Sequence, residues 1–545
     1  MKNYGIKRLA LIVLAVVGSV SVKAKADFTV NGVCYNITDK DGFVVEVTAG
    51  ESKYQGTVTI PATVSNGGNT YSVKSISNYA FQNCTDLEKV VVGSNVEKIG
   101  YRAFYGCTSL KDINWSNNIR SYGADVFRGC SLLESAELSS GLTSMGSGVF
   151  QDCIKLASVT VNDGCTVIGE SAFSGCVKLA SISIPKSVTK INNSAFDGCK
   201  VLVSASIGDG VTSIDNYAFQ NCVALESVKI GSKVENIGYR AFYGCTSLKD
   251  INWSNNIRSY SSDVFRGCSS LENAELSSGL ESMGSGVFQN CIKLASVTVN
   301  EGCTVIGESA FEGCLTLFSV SIPQSVTTLG SGAFSGCKAL KVANVGNGVR
   351  KISNYAFVDC VGLETVRIGS KVTEIGYRAF YNCTSLISFS CYSVEPPALN
   401  ESAFSSYKSN TYVYVPASAV ETYRMAEVWS NFGTHIEALP SYVYLTIKQS
   451  NGGAVKARLN VGESYNFTIQ PTEGVKLLSV LYNGTDVTKQ LVENTYSTPA
   501  LTEDSDLVVN FDSDSGQGRK GDMNGDNKLD AADVVLLVDE VMKEK

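Results

Sequence analysis

The chain repeats itself every 23 residues, and that period decides what it can fold into. A phenylalanine stands at each of fourteen successive steps from Phe81 to Phe380. Ala or Val precedes each one. A cysteine lies three residues after each, from Cys84 to Cys383, and a leucine three further on, from Leu87 to Leu386. Phe404 follows one residue late. One unit, Ala218–Arg240, reads AFQNCVALESVKIGSKVENIGYR. A longer period lies over the short one. Ile99–Tyr122 recurs letter for letter at Ile237–Tyr260, an offset of 138 residues or six units, and a third copy runs from Tyr355 to Leu386. The array reads as tandem duplication of a six-unit block.

Within a unit, Leu225, Val228 and Ile230 alternate with polar residues, the signature of a half-buried strand. Val234 and Ile237 mark a second short extended stretch. Gly238 turns the chain, and the Ala-Phe-x-x-Cys segment packs back as a helical turn or tight coil. So short a unit cannot bury its own apolar side, so neighbours must stack. Successive strands then align in parallel about 4.8 Å apart, and about fifteen coils extend on the order of 70 Å.

The AFxxCxxLxxVxI…VxxIG pattern resembles the BspA-like leucine-rich repeats of bacterial surface proteins, across roughly residues 27–440. On that resemblance, residues 27–75 are a β-rich N-terminal cap, 76–394 a solenoid of 23-residue units and 395–440 a closing cap with a strand and a short amphipathic helix. The expected fold class is an α/β repeat: a leucine-rich-repeat solenoid with parallel strands, followed by a small all-β sandwich and a single calcium loop-helix. The resemblance implies surface adhesion or protein binding and names no ligand.

Fourteen of the eighteen cysteines share one repeat position, where a small side chain fits between coils. Cys165 and Cys303 take the place held elsewhere by Val211 or Val234, and Cys391 the last strand position held by Ile230. This spacing reads as buried thiols packed as small hydrophobes. It leaves open whether any of the ladder cysteines pair. Trp115 and Trp253 fall at the inward strand position and read as core.

Two columns point outward from the strands. One runs Asn114, Glu137, Thr160, Ser183, Ser206, Lys229, Asn252, Glu275, Thr298, Ser321, Asn344, Arg367; the other is serine-rich, with Ser135, Ser158, Ser181, Ser204, Ser227, Ser296, Ser319 and Ser388. Such a polar sheet with almost no aromatics suits a protein partner better than a glycan. The repeated pairs Tyr101-Arg102, Tyr239-Arg240 and Tyr377-Arg378 lie beside the coil turns as a candidate exposed patch.

The ends carry different signals. Residues 1–26 read as a secretory signal peptide: Lys2, Lys7 and Arg8, then the apolar run Leu9–Val17, then Ala24-Lys25-Ala26. Residues 441–512 break the period into short alternating runs separated by turns, and resemble the small immunoglobulin-like modules of bacterial surface proteins. Residues 513–520 form a linker. In 521–545, Asp522, Asn524, Asp526, Lys528, Asp530 and Asp533 occupy positions 1, 3, 5, 7, 9 and 12 of a calcium loop. Oxygen ligands at that spacing suit the hard cation Ca²⁺, Lys528 giving its backbone carbonyl. Aspartate at position 12 and the missing entering helix resemble a dockerin, which implies a cohesin-like partner. Dockerins carry two such segments, and this chain shows one.

The balance of charges narrows the function. With 45 Lys and Arg against 52 Asp and Glu, the chain has no cationic excess to displace phosphate counterions, so nucleic acid is not an expected partner. One histidine, His435, removes most His-based catalysis and any multi-His metal site. No GxSxG or HExxH motif occurs. No integral membrane segment is expected after signal removal. The sequence therefore reads as an exported, non-enzymatic adhesion or interaction protein with a protein ligand, host extracellular matrix or mucin. The other reading is a scaffold component docked to a same-cell partner through the calcium unit.

Overall fold

The structure, a computed structural model, describes residues 26–511 except 115, 253, 406–410, 441, 450–451, 461–464, 470–476, 483–484, 493 and 499–504. The leader, the linker, the calcium segment, Trp115 and Trp253 lie outside the described residues. The chain divides into two compact units: residues up to Val413 with Glu421–His435, and Tyr414–Val420 with Ile436 onward.

In the first unit, Phe28–Val30, Val33–Asp39 and Val44–Thr48 pair antiparallel in sequence, and Asn69–Ile76 joins Val44–Thr48 in parallel. Ser75 and Ile76 then pair with Lys98 and Ile99, which pair with Ser121 and Tyr122. From there each coil contributes two strands to two parallel ladders, one period apart until the last pair of the second ladder, where Glu374 meets Ala398 one residue late. Ser181–Ile184 pairs with Ser204–Ile207 in the main ladder, and Lys190–Ile191 with Ser213–Ile214 in the second. The main ladder is interrupted after Asp112–Asn114 and Ser158–Thr160, and again six coils later after Asp250–Asn252 and Ser296–Thr298. The duplicated block carries its irregularities with it.

The helical half of the expected α/β repeat is not built: this is a parallel β-solenoid, and the Ala-Phe-x-x-Cys segment is a tight coil. Among the described residues there is no helix in the array, and the helices lie at Ala417–Ala419, Val420–Met425, Trp429–His435 and Thr488–Gln490. Two features forbid one. The residue two before each ladder phenylalanine and the residue two after it both sit at positive φ, as at Tyr217 (60°) and Asn221 (57°), and right-handed helix cannot run through them. The phenylalanine N–H also bonds sideways, Phe219 to the Ala241 carbonyl of the next coil at 2.7 Å, so no i−4 ladder forms.

The core is a column of rings. From Phe81 to Phe404 each phenylalanine stacks on the next with centroids 4.8–5.5 Å apart and ring planes within 21°. Beside it runs a column of thiols. Each cysteine of the repeat position from Cys107 to Cys383 donates its S–H to the carbonyl of the phenylalanine in the preceding coil, at 3.0–3.3 Å. Cys165, Cys303 and Cys391 are also buried, and no disulfide joins any of the eighteen.

Aromatic side chains close both ends of the ring column, covering core that an open solenoid would expose. Tyr54 lies 4.6 Å from Phe81, its hydroxyl donating to Thr48 O at 2.7 Å. At the other end Phe432 meets Phe404 edge-on at 5.4 Å. Trp429 donates Nε1–H to Pro397 O at 2.8 Å, and the Tyr423 hydroxyl lies 3.1 Å from Cys391 Sγ. His435 sits edge-on to Tyr412.

The second unit is β structure around its own core. Tyr442–Gln449 pairs antiparallel with Gly452–Asn460 and parallel with Ser505–Phe511, which pairs antiparallel with Leu477–Tyr482. Asn466–Thr468 and Thr495–Ser497 form a separate antiparallel pair. Leu445, Ile447, Phe467, Val480, Tyr496 and Val509 are buried together.

Candidate interaction surfaces

Strand alternation sets the first surface. In Ser181–Ile184 and Ser204–Ile207 the serines are exposed and the apolar residues buried. The two outward columns are solvent-facing or half-exposed at every described side chain; the side chain of Asn252 lies outside those described. Lys341 and Glu364, just ahead of two strands, form an ion pair across neighbouring coils. Just before the strands, Val203, Phe318 and Ile387 are also exposed, Phe318 by 59%. The face is shallow, polar and long.

The turn edge carries the second surface, in three copies. In the first, Asn78 accepts the N–H of Tyr101 at 2.8 Å, which fixes the start of the turn. The next residue, Arg102, is held at φ 51°. Its guanidinium then lies 4.9 Å from the ring centres of both Tyr101 and Tyr105, a cation–π sandwich. Tyr79 of the preceding coil packs edge-on to Tyr101 at 5.3 Å. Asp125 of the following coil accepts from Arg102 Nε at 2.9 Å, and that bond raises the arginine pKa further.

The second copy repeats this geometry. Arg240 lies 4.9 and 4.8 Å from Tyr239 and Tyr243, Tyr217 meets Tyr239 at 5.3 Å, and Asp263 accepts from Arg240 Nε at 3.0 Å. In the third, Arg378 lies 5.2 and 4.7 Å from Tyr377 and Tyr381, and Tyr355 meets Tyr377 at 5.4 Å. No acid among the described residues pairs with the arginine there. Arg378 Nε is buried with no hydrogen-bond partner among the described residues.

The backbone makes these clusters notable. The position two before the phenylalanine is left-handed in all fourteen in-register coils, and Gly, Ser or Asp fills eight of them. Tyr79, Tyr217, Tyr355, Arg102, Arg240 and Arg378 fill the other six, where a bulky side chain is disfavoured. Sequence reasoning found the Tyr-Arg pairs but missed the two further tyrosines of each cluster and the aspartate of the first two. The signal was available: tyrosines 22 residues before and four after Tyr101, and an aspartate 23 after Arg102, recur at the six-unit offset.

The calcium ligands expected at Asp522, Asn524, Asp526, Lys528, Asp530 and Asp533 lie outside the described residues. Among the described residues, no cluster of three or more His, Cys, Asp or Glu is placed to hold a metal ion. No described helix is long and apolar enough to cross a membrane.

Comparison with known proteins falls on the coils. The family model of the BspA type leucine rich repeat region (six copies) matches residues 74–203, 189–318 and 304–426. A leucine-rich repeat protein from Bacteroides ovatus is 25% identical with a TM-score of 0.51, the match covering 76% of this chain and 99% of that one. A leucine rich cell surface protein from Faecalibacterium prausnitzii is 26% identical with a TM-score of 0.41, covering 62% and 93%. No match was found among curated proteins. The stacked coils thus carry the family's repeat over most of their length, and the chain belongs to the BspA-type leucine-rich repeat family.

Proposed function

We propose that this chain is an exported, non-enzymatic adhesion or interaction protein of the cell surface that binds protein ligands through its solenoid. The observation that carries the reading is the array itself: rigidly stacked coils whose outward columns and tyrosine–arginine clusters repeat in register. A long, regular display of this kind suits recognition of a large partner. The basic and apolar leader supports export. The immunoglobulin-like segment serves as a stalk. The test is binding of the purified chain to immobilised host matrix proteins and mucins. Saturable binding supports the reading; absence of binding across a broad panel overturns it.

The acidic spacing from Asp522 to Asp533 favours a second reading, a scaffold docked through Ca²⁺ to a cohesin-like partner on the same cell. Removal of residues 513–545 separates the two. Lost surface retention with ligand binding intact supports docking, and unchanged retention removes it.

A further inference from the structure

We propose that the third cluster, Tyr355, Tyr377, Arg378 and Tyr381, is an anchor for a carboxylate side chain of an acidic polypeptide partner. The proposal rests on the protein-binding reading above and says where that binding is anchored: on the turn edge, at the C-terminal end of the array.

The molecule supplies its own comparison. In the first two clusters the group facing the guanidinium is an aspartate of the next coil, Asp125 or Asp263. These show which chemistry fits: a side-chain carboxylate at 2.9–3.0 Å from Nε. In the third, the following coil is the late one. Phe380 still bonds to Ala403 at 2.8 Å, as Phe104 does to Val126 at 2.9 Å. Ser402, immediately before Ala403, therefore has the register that Asp125 has before Val126, though not its positive φ. Its hydroxyl brings no charge. Arg378 forms no ion pair with any described residue, while Arg102 and Arg240 each form one.

What remains is a fixed cation with an acceptor missing. Two rings pin the guanidinium, so little freedom is lost when a ligand engages it. Its planar fork matches a carboxylate. Tyr355 and Tyr381 are exposed by 38% and 37%, so the rim of the cluster opens to solvent while Nε itself is buried beneath it. Tyrosine and arginine together are the residues that most often dominate protein interfaces. A sugar ring is less well served, because one face of both Tyr377 and Tyr381 is already turned to the guanidinium.

The test uses the full chain and two polyanions, poly-L-glutamate as an acidic polypeptide and polysialic acid as an acidic glycan. Poly-L-glutamate is expected to bind saturably. Arg378→Gln should weaken that binding by about tenfold or more, as should Ser402→Asp, which supplies the acid found in the other clusters. Lys293→Gln, which removes an exposed charge elsewhere, should leave it unchanged. Asp263→Ser should open a second site and raise the binding stoichiometry. Unaltered melting midpoints establish that each variant is folded. Poly-L-glutamate binding that is absent, or equal in Arg378→Gln and wild type, overturns the proposal. Polysialic acid binding without poly-L-glutamate binding overturns it in favour of a glycan site. If a matrix protein binds and Arg378→Gln does not affect it, the anchor fails and the protein-binding reading survives. If nothing binds from the whole panel, the reading itself fails.

Discussion

The Sγ of Cys107 lies 3.0 Å from the carbonyl oxygen of Phe81 in the preceding coil, and the contact recurs down the array. That carbonyl already accepts the N–H of Cys84 at 3.1 Å. The thiol therefore fills the second lone pair of a buried acceptor while occupying the volume of a small apolar side chain. Alanine would leave a void, and valine would offer no donor. Cysteine does both jobs, so its recurrence needs no disulfide.

A first prediction follows for Cys222, whose Sγ lies 3.2 Å from Phe196 O. Cys222→Ala removes one of two partners of a buried carbonyl and leaves a small cavity. The expected loss is about 1–3 kcal/mol, read by denaturant unfolding. A change below the error of extrapolation would show that the thiol contributes neither bond nor packing.

Alkaline pH should unfold the array. Burial pushes the Cys107, Cys199, Cys245, Cys337 and Cys383 thiols up to about 12, and lifts Cys130, Cys153, Cys222 and Cys268 well above the usual range. An exposed thiol in the unfolded chain titrates near ~8.5. Above that pH the unfolded state binds fewer protons than the folded one, so stability falls as pH rises. The contribution is fully present below about pH 8.5 and is lost progressively towards pH 12, by about 1.4 kcal/mol per unit for each thiol. Melting midpoints measured from pH 7 to 11 should drop steeply above about 9. A Cys222→Ala variant should show a shallower slope.

Much of this was legible because one coil must present the same side chain to the same place in every neighbour. Phe219, Cys222, Leu225, Val228 and Ile230 could be read as buried, and Ser227 and Lys229 as outward, from spacing alone. The aromatic closure was less legible. Phe389 holds the inward strand place of Val366, but Trp429 and Phe432 obey no period, and only the folded chain brings Phe432 onto Phe404 and Trp429 against Phe389 and Phe432. The tight coil was half legible. The residue two after each ladder phenylalanine is always Gly, Asn or Asp, the side chains that tolerate φ above zero. The residue two before it is equally left-handed but carries Tyr, Arg or Ser as well, which hides the conformation. The calcium loop rests on spacing alone.

That hidden conformation gives a third prediction. Ser194 sits at φ 55°, in the position that glycine fills at Gly148, Gly286 and Gly332. A β-carbon there costs roughly 1 kcal/mol. Glycine also has more freedom to lose from the unfolded chain, which offsets part of the gain. Ser194→Gly should therefore stabilise the array by about 0.5 kcal/mol and raise its melting midpoint. A lowered midpoint would mean that the serine hydroxyl matters more than the backbone.

The ring column offers the sharpest test of stacking. Phe219 is fully buried between Phe196 at 5.0 Å and Phe242 at 5.2 Å, so its removal interrupts the column on both sides at once. Phe219→Ala should cost about 3–5 kcal/mol, as for other large core truncations. In a stack where coils touch only their neighbours, that loss falls on one junction. Coils on either side keep their own contacts, so calorimetry should show a broadened or split transition rather than a uniformly shifted one. Hydrogen exchange should accelerate first at the amides of Phe196, Phe219 and Phe242, which bond between coils. A single sharp transition, with exchange raised evenly along the array, would mean that the coils unfold as one block and that stability is not distributed coil by coil.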